Sequence, residues 1–228
     1  MAQRRGKLIV IAGIDGSGKA TQAHLLAERL RAAGKAAEIV DFPRYGKGFF
    51  AEMVAAYLRG EFGPADRVDA KLASLMYAGD RWQAKPEIER LLDAGTTVIC
   101  NRYVCSNKAH QGGKIADPAA RRAFFTWEDE LEFGVLGLPR PDLTVLLHVP
   151  PEVGQGMVDK KEDRAYLKGK KRDVHEESRD HLRRAGDTYL ELCELEPRWQ
   201  RVDCVKEGRL LPREEIAGMV WDCVKKLL

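Results

Sequence analysis

Short apolar runs alternate with segments whose apolar residues recur at helical spacing along most of this chain. The run at 7–12 is apolar after its first residue and precedes several glycines, as in a strand buried on both faces of a parallel sheet. Further strands are predicted at 37–42, 96–101, 143–149 and 199–203. Helices are predicted at 19–33, 49–59, 69–83, 86–93, 118–133, from 151 onward, at 173–195 and at 212–228.

This order of strands and helices predicts a doubly wound α/β fold. Strand–helix–strand units imply parallel pairing through right-handed crossovers, so we expect a five-stranded parallel sheet flanked by helices. A chain of 228 residues, 44% of them hydrophobic, is consistent with one domain over 1–228. Because ligands of such sheets bind beyond the carboxyl ends of the strands, the residues after each strand become the candidates for function.

The first strand is followed by "GIDGSGKATQ", which is typical of a phosphate-binding loop. Gly13, Gly16 and Gly18 allow the backbone to curl so that its N–H groups face inward. The helix predicted from Lys19 directs its positive end at the same place, and the lysine adds a mobile charge. An ordinary glycine-rich turn is the alternative, but the preceding strand, the following helix and the lysine all favour phosphate binding.

The loop departs from the usual G-x-x-x-x-G-K-[ST] pattern at one position. Ala20 occupies the place of the hydroxyl residue that normally faces magnesium, and Thr21 comes one residue later. Asp15 lies inside the loop, where a carboxylate repels phosphate but suits magnesium or a sugar hydroxyl. We therefore assign Asp15 as the candidate metal ligand.

Other segments carry recognisable motifs after the later strands. They read "FPRY" at 42–45, "YAGDR" at 77–81, "RYVCSNKAHQGG" at 102–113, "RPDLTVLLHVPPE" at 140–152 and a charged stretch that runs into the last long helix. With these segments in this order, the chain resembles bacterial thymidylate kinases over almost its whole length. The resemblance implies a P-loop kinase fold, ATP and Mg²⁺ as cofactors, transfer of the γ-phosphate of ATP to dTMP, and a homodimer.

The resemblance also assigns the acceptor pocket. Tyr77 corresponds to an aromatic residue that stacks on thymine, and Arg81 to an arginine that hydrogen-bonds a thymine carbonyl. Arg102 corresponds to the arginine that binds the acceptor phosphate, for which a guanidinium fork is well shaped. The full set expected to bind the acceptor is Asp15, Phe42, Arg44, Tyr45, Tyr77, Arg81, Arg102, Ser106, Asn107, His110 and Gln111. Phe42 and Tyr77 are also candidates for ordinary core aromatics.

The donor side and the catalytic groups follow from the same resemblance. ATP is expected to contact Gly13, Ile14, Asp15, Gly16, Ser17, Gly18, Lys19, Ala20 and Thr21. The stretch at 159–173 has seven basic and four acidic residues, and the resemblance makes it a lid over ATP, with a solvated charged helix as the alternative. Within this lid, Arg164 is the first choice and Arg172 the second for contact with the phosphates. The predicted catalytic groups are Asp15, Lys19, Arg102 and Arg164.

Further departures from the family pattern concern the metal and the sugar. Asn101 replaces the aspartate of the usual "DRY", and an uncharged amide holds a metal or its water less firmly. His110 replaces a tyrosine that lies next to the sugar and excludes a 2′-hydroxyl. We therefore expect a magnesium site with fewer protein ligands than usual, and weaker selection for deoxyribose.

Bulk composition adds constraints on location and partners. The net charge of +3 is too small to indicate nucleic-acid binding. The five cysteines form no C-x-x-C pair, which favours a reducing cytosol over a disulfide framework. No apolar run has the length of a membrane helix, so we expect a cytoplasmic protein without membrane partners.

Three alternative functions remain open at the level of sequence. A nucleoside monophosphate kinase of shifted specificity is suggested by His110, and a non-catalytic nucleotide binder by Ala20 and Asn101. A GTPase-like switch would need N-K-x-D, and the nearest match, at 107–110, ends in histidine.

Overall fold

A computed structural model describes residues 6–64, 67–158 and 179–228. Five strands in these ranges form one parallel sheet in the order β2-β3-β1-β4-β5, as expected from the sequence. The strands are Leu8–Ala12 (β1), Ala37–Asp41 (β2), Thr97–Asn101 (β3), Leu143–His148 (β4) and Trp199–Asp203 (β5). The chain leaves central β1 for the edge strand β2, returns through β3 and then crosses to β4. The carboxyl ends of β1, β3 and β4 therefore meet at the point where ligands bind in this class of sheet.

Strand β1 shows why the sheet is covered on both sides. Val10 and its neighbours on one face pack against the helices at Ala70–Asp93, Val104–Gly112, Pro118–Asp129 and Arg179–Leu195, whereas Ile9 and Ile11 pack against those at Lys19–Ala32 and Arg213–Val224. All five residues of β1 are buried, which explains why the run is apolar throughout rather than alternating. The helices of the described ranges are Lys19–Ala32 (α1), Phe49–Leu58 (α2), Ala70–Asp93 (α3), Val104–Gly112 (α4), Pro118–Asp129 (α5), Pro151–Val158 (α6), Arg179–Leu195 (α7) and Arg213–Val224 (α8).

The prediction of two helices at 69–83 and 86–93 was wrong, because α3 is a single helix of 24 residues with Pro86 inside it. Proline removes one helical hydrogen bond and normally breaks or kinks a helix. Here Ala84, Ile88 and Leu92 lie on both sides of the proline and pack into the same core cluster. Burial of this continuous apolar stripe holds the helix together through the proline.

Other elements also differ from the sequence prediction. The residues after β3 form α4 rather than a loop, and α5 continues as a π-helix over Glu130–Val135. A short antiparallel hairpin, Val205–Lys206 (β6) with Arg209–Leu210 (β7), follows β5. None of the described helices is both long and apolar enough to cross a membrane.

Candidate active site

The phosphate loop connects β1 to α1 with three glycines at positive φ. Gly16 has φ 81° and Gly18 has φ 83°, values at which residues with a Cβ are strained. Gly16 is also confined by its surroundings, since a Cβ there would lie 2.0 Å from the carbonyl oxygen of Gly154 on α6. The curled backbone needs glycine at Gly16 for both reasons, and it leads directly into the N-terminus of α1.

Lys19 folds back over this loop. Its Nζ donates to the carbonyl of Ile14 at 2.7 Å and lies 3.5 Å from Ser17 Oγ, and the residue is only 6% exposed. The side chains of Ala20 and Thr21, by contrast, are exposed on the first turn of α1. The first turn contains no acidic residue, so the positive end of the helix is not neutralised by its own side chains.

Arg102 joins the phosphate loop to the end of β3. Its Nη2 donates to Asp15 of the loop, and its Nη1 lies 3.3 Å from His110 Nε2. The backbone of Arg102 has φ 68°, a conformation uncommon for a residue with a side chain, and its N–H bonds to the Ile11 carbonyl. The end of one strand is thus tied to the loop that follows its neighbour. Three of the predicted site residues, Asp15, Arg102 and His110, come together here.

His110 lies in this cluster as an uncharged ring. Burial lowers the pKa of His110 well below its ordinary value, and the positive charge of Arg102 lowers it further. His181 and Lys19 act in the same direction, and only Asp15 opposes them. The neutral imidazole can accept a hydrogen bond from a guanidinium, which the protonated form cannot.

Helix α4 supplies the other predicted side chains of this segment, all of them buried. Ser106 Oγ accepts from the hydroxyl of Tyr189 at 3.1 Å. Asn107 Nδ2 donates to the carbonyl of Ser74 at 3.1 Å and to Glu132 at 3.3 Å. Gln111 is 1% exposed, and its Oε1 has no hydrogen-bond partner among the described residues.

Arg81 is enclosed at some depth beneath α4. Its guanidinium forms a two-pronged ion pair with Glu132, with Nε–Oε2 at 2.5 Å and Nη2–Oε1 at 2.6 Å. Both partners are almost wholly buried, at 2% and 0% side-chain exposure. The structure therefore places Arg81 in a buried ion pair, and its contact with thymine stays a prediction.

A second buried carboxyl lies one helical turn before Glu132. Burial raises the pKa of Glu128, and the negative charge of Glu132 raises it further. Two carboxyls thus face one guanidinium in a region shielded from water, where two adjacent charges of like sign are unfavourable. Glu132 is thus the ion-pair partner of Arg81, and the raised pKa of Glu128 favours its protonated form.

The aromatic residues predicted for the acceptor pocket have different surroundings. Phe42 is buried in the main core cluster, 5.9 Å between ring centroids from Tyr103. Tyr77 is half-buried and meets Tyr57 edge to face at 6.2 Å. Tyr45 is half-buried as well and packs against the small cluster between α2 and α3. Of these rings, only Phe42 is buried, whereas Tyr77 and Tyr45 are partly exposed.

The "FPRY" segment is held by a residue of the "YAGDR" motif. The backbone N–H of Arg44 donates to Asp80 Oδ2 at 2.9 Å, and Asp80 is 2% exposed. The Arg44 side chain reaches Glu87 at 3.4 Å on the surface, and its Nε has no partner among the described residues. Asp80 thus sets the backbone position of Arg44, while the ion-pair partner of the guanidinium in the described part of the chain is the exposed Glu87.

Asn101 has an unexpected partner across the sheet. Its Nδ2 donates to Asp41 at 2.8 Å, from the last residue of β3 to the last residue of β2. Its Oδ1 is buried and has no hydrogen-bond partner among the described residues. Because the amide nitrogen is fixed by Asp41, the amide oxygen is oriented as an acceptor for an external donor.

Four of the contacts above were not foreseen from the sequence. Asp80 lies in the "YAGDR" motif, four residues after Met76 and one before Arg81, and its place in that motif could have indicated a role. Glu132, His181 and Asp41 carried no such signal, because each acts on a residue far along the chain. Arg164 and Arg172 lie outside the described residues, so their predicted contacts are not addressed by this structure.

The chain matches known proteins over most of its length. The family model described as thymidylate kinase matches residues 11–212. A thymidylate kinase of Mycobacterium tuberculosis is 37% identical over 186 residues, which cover 81% of this chain and 85% of that protein. The thymidylate kinase of Thermomicrobium roseum is 34% identical over 222 residues, covering 96% and 95%.

A solved structure of thymidylate kinase from Candida albicans has the same fold, with a TM-score of 0.74 at 22% identity, and the match covers 99% of this chain and 94% of that one. The sheet order, the phosphate loop and the strand-end motifs all occur within the matched region. The chain belongs to the thymidylate kinase family.

Proposed function

We propose that this chain transfers the γ-phosphate of ATP to the 5′-phosphate of dTMP, producing dTDP and ADP. The observation that carries the proposal is the contact between Arg102 and Asp15. It places a guanidinium from the end of β3 directly against the phosphate loop at the end of β1. A kinase of this type needs a cation at that point, because two phosphate groups must approach each other there.

Residues of the loop provide the donor half of the site. The N–H groups of the curled backbone and the start of α1 suit the β- and γ-phosphates. Lys19 is bonded within the loop in this structure and can exchange the Ile14 carbonyl for phosphate oxygens. Catalysis of phosphoryl transfer consists mainly of positioning and charge neutralisation, which these groups supply.

The acceptor half lies between α3 and α4. Arg102 binds the 5′-phosphate with the donors that Asp15 and His110 leave available. Tyr77, half-buried on α3, provides a ring face for thymine. Arg44 lies at the rim, and its Nε has no hydrogen-bond partner within 6–64, 67–158 and 179–228. Arg81 supports this wall from beneath, and a direct contact with a thymine carbonyl remains a prediction.

Magnesium fits the residues at the ends of β1 and β3. The oriented Oδ1 of Asn101, which has no hydrogen-bond partner in the described part of the chain, suits a donor such as a metal-bound water, and Asp15 offers a carboxylate. Within the described ranges there is no group of three or more His, Cys, Asp and Glu side chains close enough to hold a metal. Mg²⁺ commonly keeps several waters and takes only one or two carboxylates besides substrate phosphates, so this donor set is sufficient. The ion would supply charge neutralisation at the phosphates.

Replacement of Asn101 by aspartate tests this view of the metal site. We expect Asn101→Asp to bind Mn²⁺ more tightly in the presence of ADP, measured by the loss of the free Mn²⁺ signal in electron paramagnetic resonance. Asp41→Asn, which keeps a partner for the amide, serves as the matched control. Equal Mn²⁺ affinity in the wild type and Asn101→Asp would count against a role for position 101.

The lid residues are part of the proposal as well. We expect Arg164→Ala to lower kcat more than Arg172→Ala, because we propose that Arg164 rather than Arg172 contacts the transferring phosphate. Both variants should bind dTMP normally, since that nucleotide lies on the other side of the loop. A larger loss in Arg172→Ala would reverse the assignment.

A homodimer formed through α3 is the proposed assembly. Leu72, Leu75 and Trp82 lie on one face of α3 and are 61%, 44% and 50% exposed. Several large exposed apolar side chains on one helix face are typical of a protein–protein interface. Sedimentation velocity should give a dimer for the wild type and a monomer for Leu75→Glu. Leu195→Glu, at an exposed leucine at the end of α7, should remain a dimer.

Release of ADP from ATP and Mg²⁺ in the presence of single nucleoside monophosphates tests the activity. We expect dTMP to give the highest kcat/KM of a panel that also includes dUMP, UMP and CMP. A clear preference for UMP would support a kinase of shifted specificity instead. Tight binding of ATP and dTMP without any turnover would support a non-catalytic binder.

A further inference from the structure

Two histidines extend the Arg102 contact away from the phosphate loop. His110 Nδ1 lies 3.2 Å from His181 Nε2, while His110 Nε2 lies 3.3 Å from Arg102 Nη1. The two rings are 27° from coplanar with centroids 5.4 Å apart, which fits rings that meet at their edges through a hydrogen bond. A continuous chain of contacts thus runs from Asp15 through Arg102 and His110 to His181.

The chemistry of the groups fixes where the protons lie in this chain. A guanidinium can only donate, so His110 Nε2 must accept from Arg102. His110 therefore carries its proton on Nδ1 and donates it to His181 Nε2. His181 Nε2 is therefore the acceptor in this contact. The lowered pKa of His110, caused by burial and by the charge of Arg102, agrees with this assignment.

A neutral partner has an advantage over a charged one at this place. Asp15 already supplies one negative charge to Arg102. A second carboxylate would orient the guanidinium equally well, but it would cancel the charge that attracts phosphate. An imidazole fixes Nη1 and leaves the positive charge in place.

Helix α7 determines where His181 lies. His181, Ala185 and Tyr189 occupy successive turns on one buried face of α7. Tyr189 donates to Ser106 on α4, and its ring meets His110 edge to face at 5.9 Å. The position of His181 is therefore set by the packing of α7 against α4, two turns away from its own contact.

We infer that His181 is a positioning residue for the reaction, which acts through His110 to hold Arg102 in the orientation that binds the acceptor phosphate. The inference rests on the proposed function, because it gives Arg102 its substrate. His181 itself has no direct contact with the phosphate in this scheme. The alternative is that the two buried histidines only pack against each other and have no role in the reaction.

Paired substitutions at His181 distinguish these readings. His181→Leu removes the acceptor, whereas the amide oxygen of His181→Gln can still accept from His110 Nδ1. We expect KM for dTMP to rise about tenfold in His181→Leu, a loss typical of removing a group that orients a functional side chain. KM for ATP should be unchanged, and His181→Gln should recover most of the loss. His24→Leu, at an exposed histidine of α1, is the matched control and should behave as wild type.

A second readout does not depend on activity. Long-range ¹H–¹⁵N correlation spectra of the imidazole rings should show His110 neutral with its proton on Nδ1 in the wild type and in His181→Gln. In His181→Leu, the signals should move toward a mixture of the two tautomers. Thermal unfolding of each variant shows whether the fold is retained.

Each outcome bears on one proposal. Wild-type kinetics in His181→Leu, or equal losses of affinity and stability in His181→Leu and His181→Gln, would overturn the positioning role. A wild-type His110 protonated on Nε2 would also overturn it. If the wild type did not phosphorylate dTMP but the spectra showed the expected tautomer, the proposed function would be wrong, whereas the hydrogen bonds from His181 through His110 to Arg102 would be supported.

Discussion

Arg102 and Arg81 were both predicted to bind the acceptor nucleotide, yet the fold gives them opposite surroundings. The side chain of Arg102 is 18% exposed, at the mouth of the phosphate loop, and its partners are one carboxylate and one neutral ring. The side chain of Arg81 is 2% exposed and is paired at both prongs with Glu132. One cation is presented at the surface of the site, and the other is enclosed beneath it.

This difference has an energetic meaning. A partly exposed charge can exchange its partners for a ligand, because water and mobile side chains replace lost contacts at small cost. A buried charge cannot, because separation from its partner leaves two uncompensated charges in a region of low polarity. We therefore expect Arg102 to contact the acceptor phosphate and Arg81 to support the wall of the pocket.

Replacement of Arg102 should have the largest effect on catalysis. We expect Arg102→Met to lower kcat/KM for dTMP by about 10³ or more, since arginines that bind transferring phosphates contribute that much. Arg102→Lys should recover only part of the loss, because lysine lacks the planar fork. Steady-state kinetics and thermal unfolding measure both aspects. Activity within tenfold of wild type in Arg102→Met would remove the distinction between the two arginines.

Replacement of Glu132 should have the largest effect on stability. Glu132→Gln leaves the Arg81 guanidinium buried without its charged partner, and we expect a loss of about 3–5 kcal/mol in the free energy of unfolding. Urea denaturation measures this loss. Glu130→Gln, at an exposed position two residues earlier in the same π-helix, is the control. A raised KM for dTMP with unchanged stability would instead make Arg81 a direct ligand of the base.

Replacement of Glu128 sharpens the picture of the buried cluster through pH. The pKa of Glu128 is raised above the ordinary 4.5, mainly by burial, so the folded state keeps a proton that the unfolded state releases above that pH. Stability of the wild type therefore falls as pH rises toward the raised value. Glu128→Gln removes this dependence. The Tm of the variant minus that of the wild type should therefore become several degrees more positive from about pH 5 to about pH 9. A constant difference in Tm over that range would contradict a protonated Glu128.

The smallest effect is expected at the ion pair of Arg44 and Glu87, in which the carboxylate is exposed. Glu87 is 55% exposed, so Glu87→Gln should change the free energy of unfolding by less than about 1 kcal/mol. KM for dTMP should stay the same or fall slightly, since Arg44 loses a competitor for phosphate. A marked loss of stability, measured by urea denaturation, would show that an exposed carboxylate partner contributes as much to stability as a buried one.

The sequence was sufficient where a segment's neighbours in the chain decide its structure. The apolar run of β1, the glycines of the phosphate loop and the order of strands and helices led to the observed sheet. The sequence was insufficient where a distant side chain decides. Arg81 meets a partner 51 positions away and Asn101 one 60 positions away, and no local pattern indicates either. The continuity of α3 through Pro86 likewise depends on a core that only the folded chain provides.

The contact between Gly16 and Gly154 has a consequence for the phosphate loop as a whole. A Cβ at Gly154 would lie 2.9 Å from the carbonyl oxygen of Asp15, so neither glycine tolerates a side chain at this junction. The backbone of α6 thus limits the conformations that the phosphate loop can adopt. The loop and the start of α6 lie close together because β1 and β4, which precede them, pair side by side. The phosphate-binding unit therefore extends beyond its own contiguous motif. Gly154, which follows β4, is part of the phosphate-binding unit. Exchange of the loop between relatives would therefore require a glycine at that position as well.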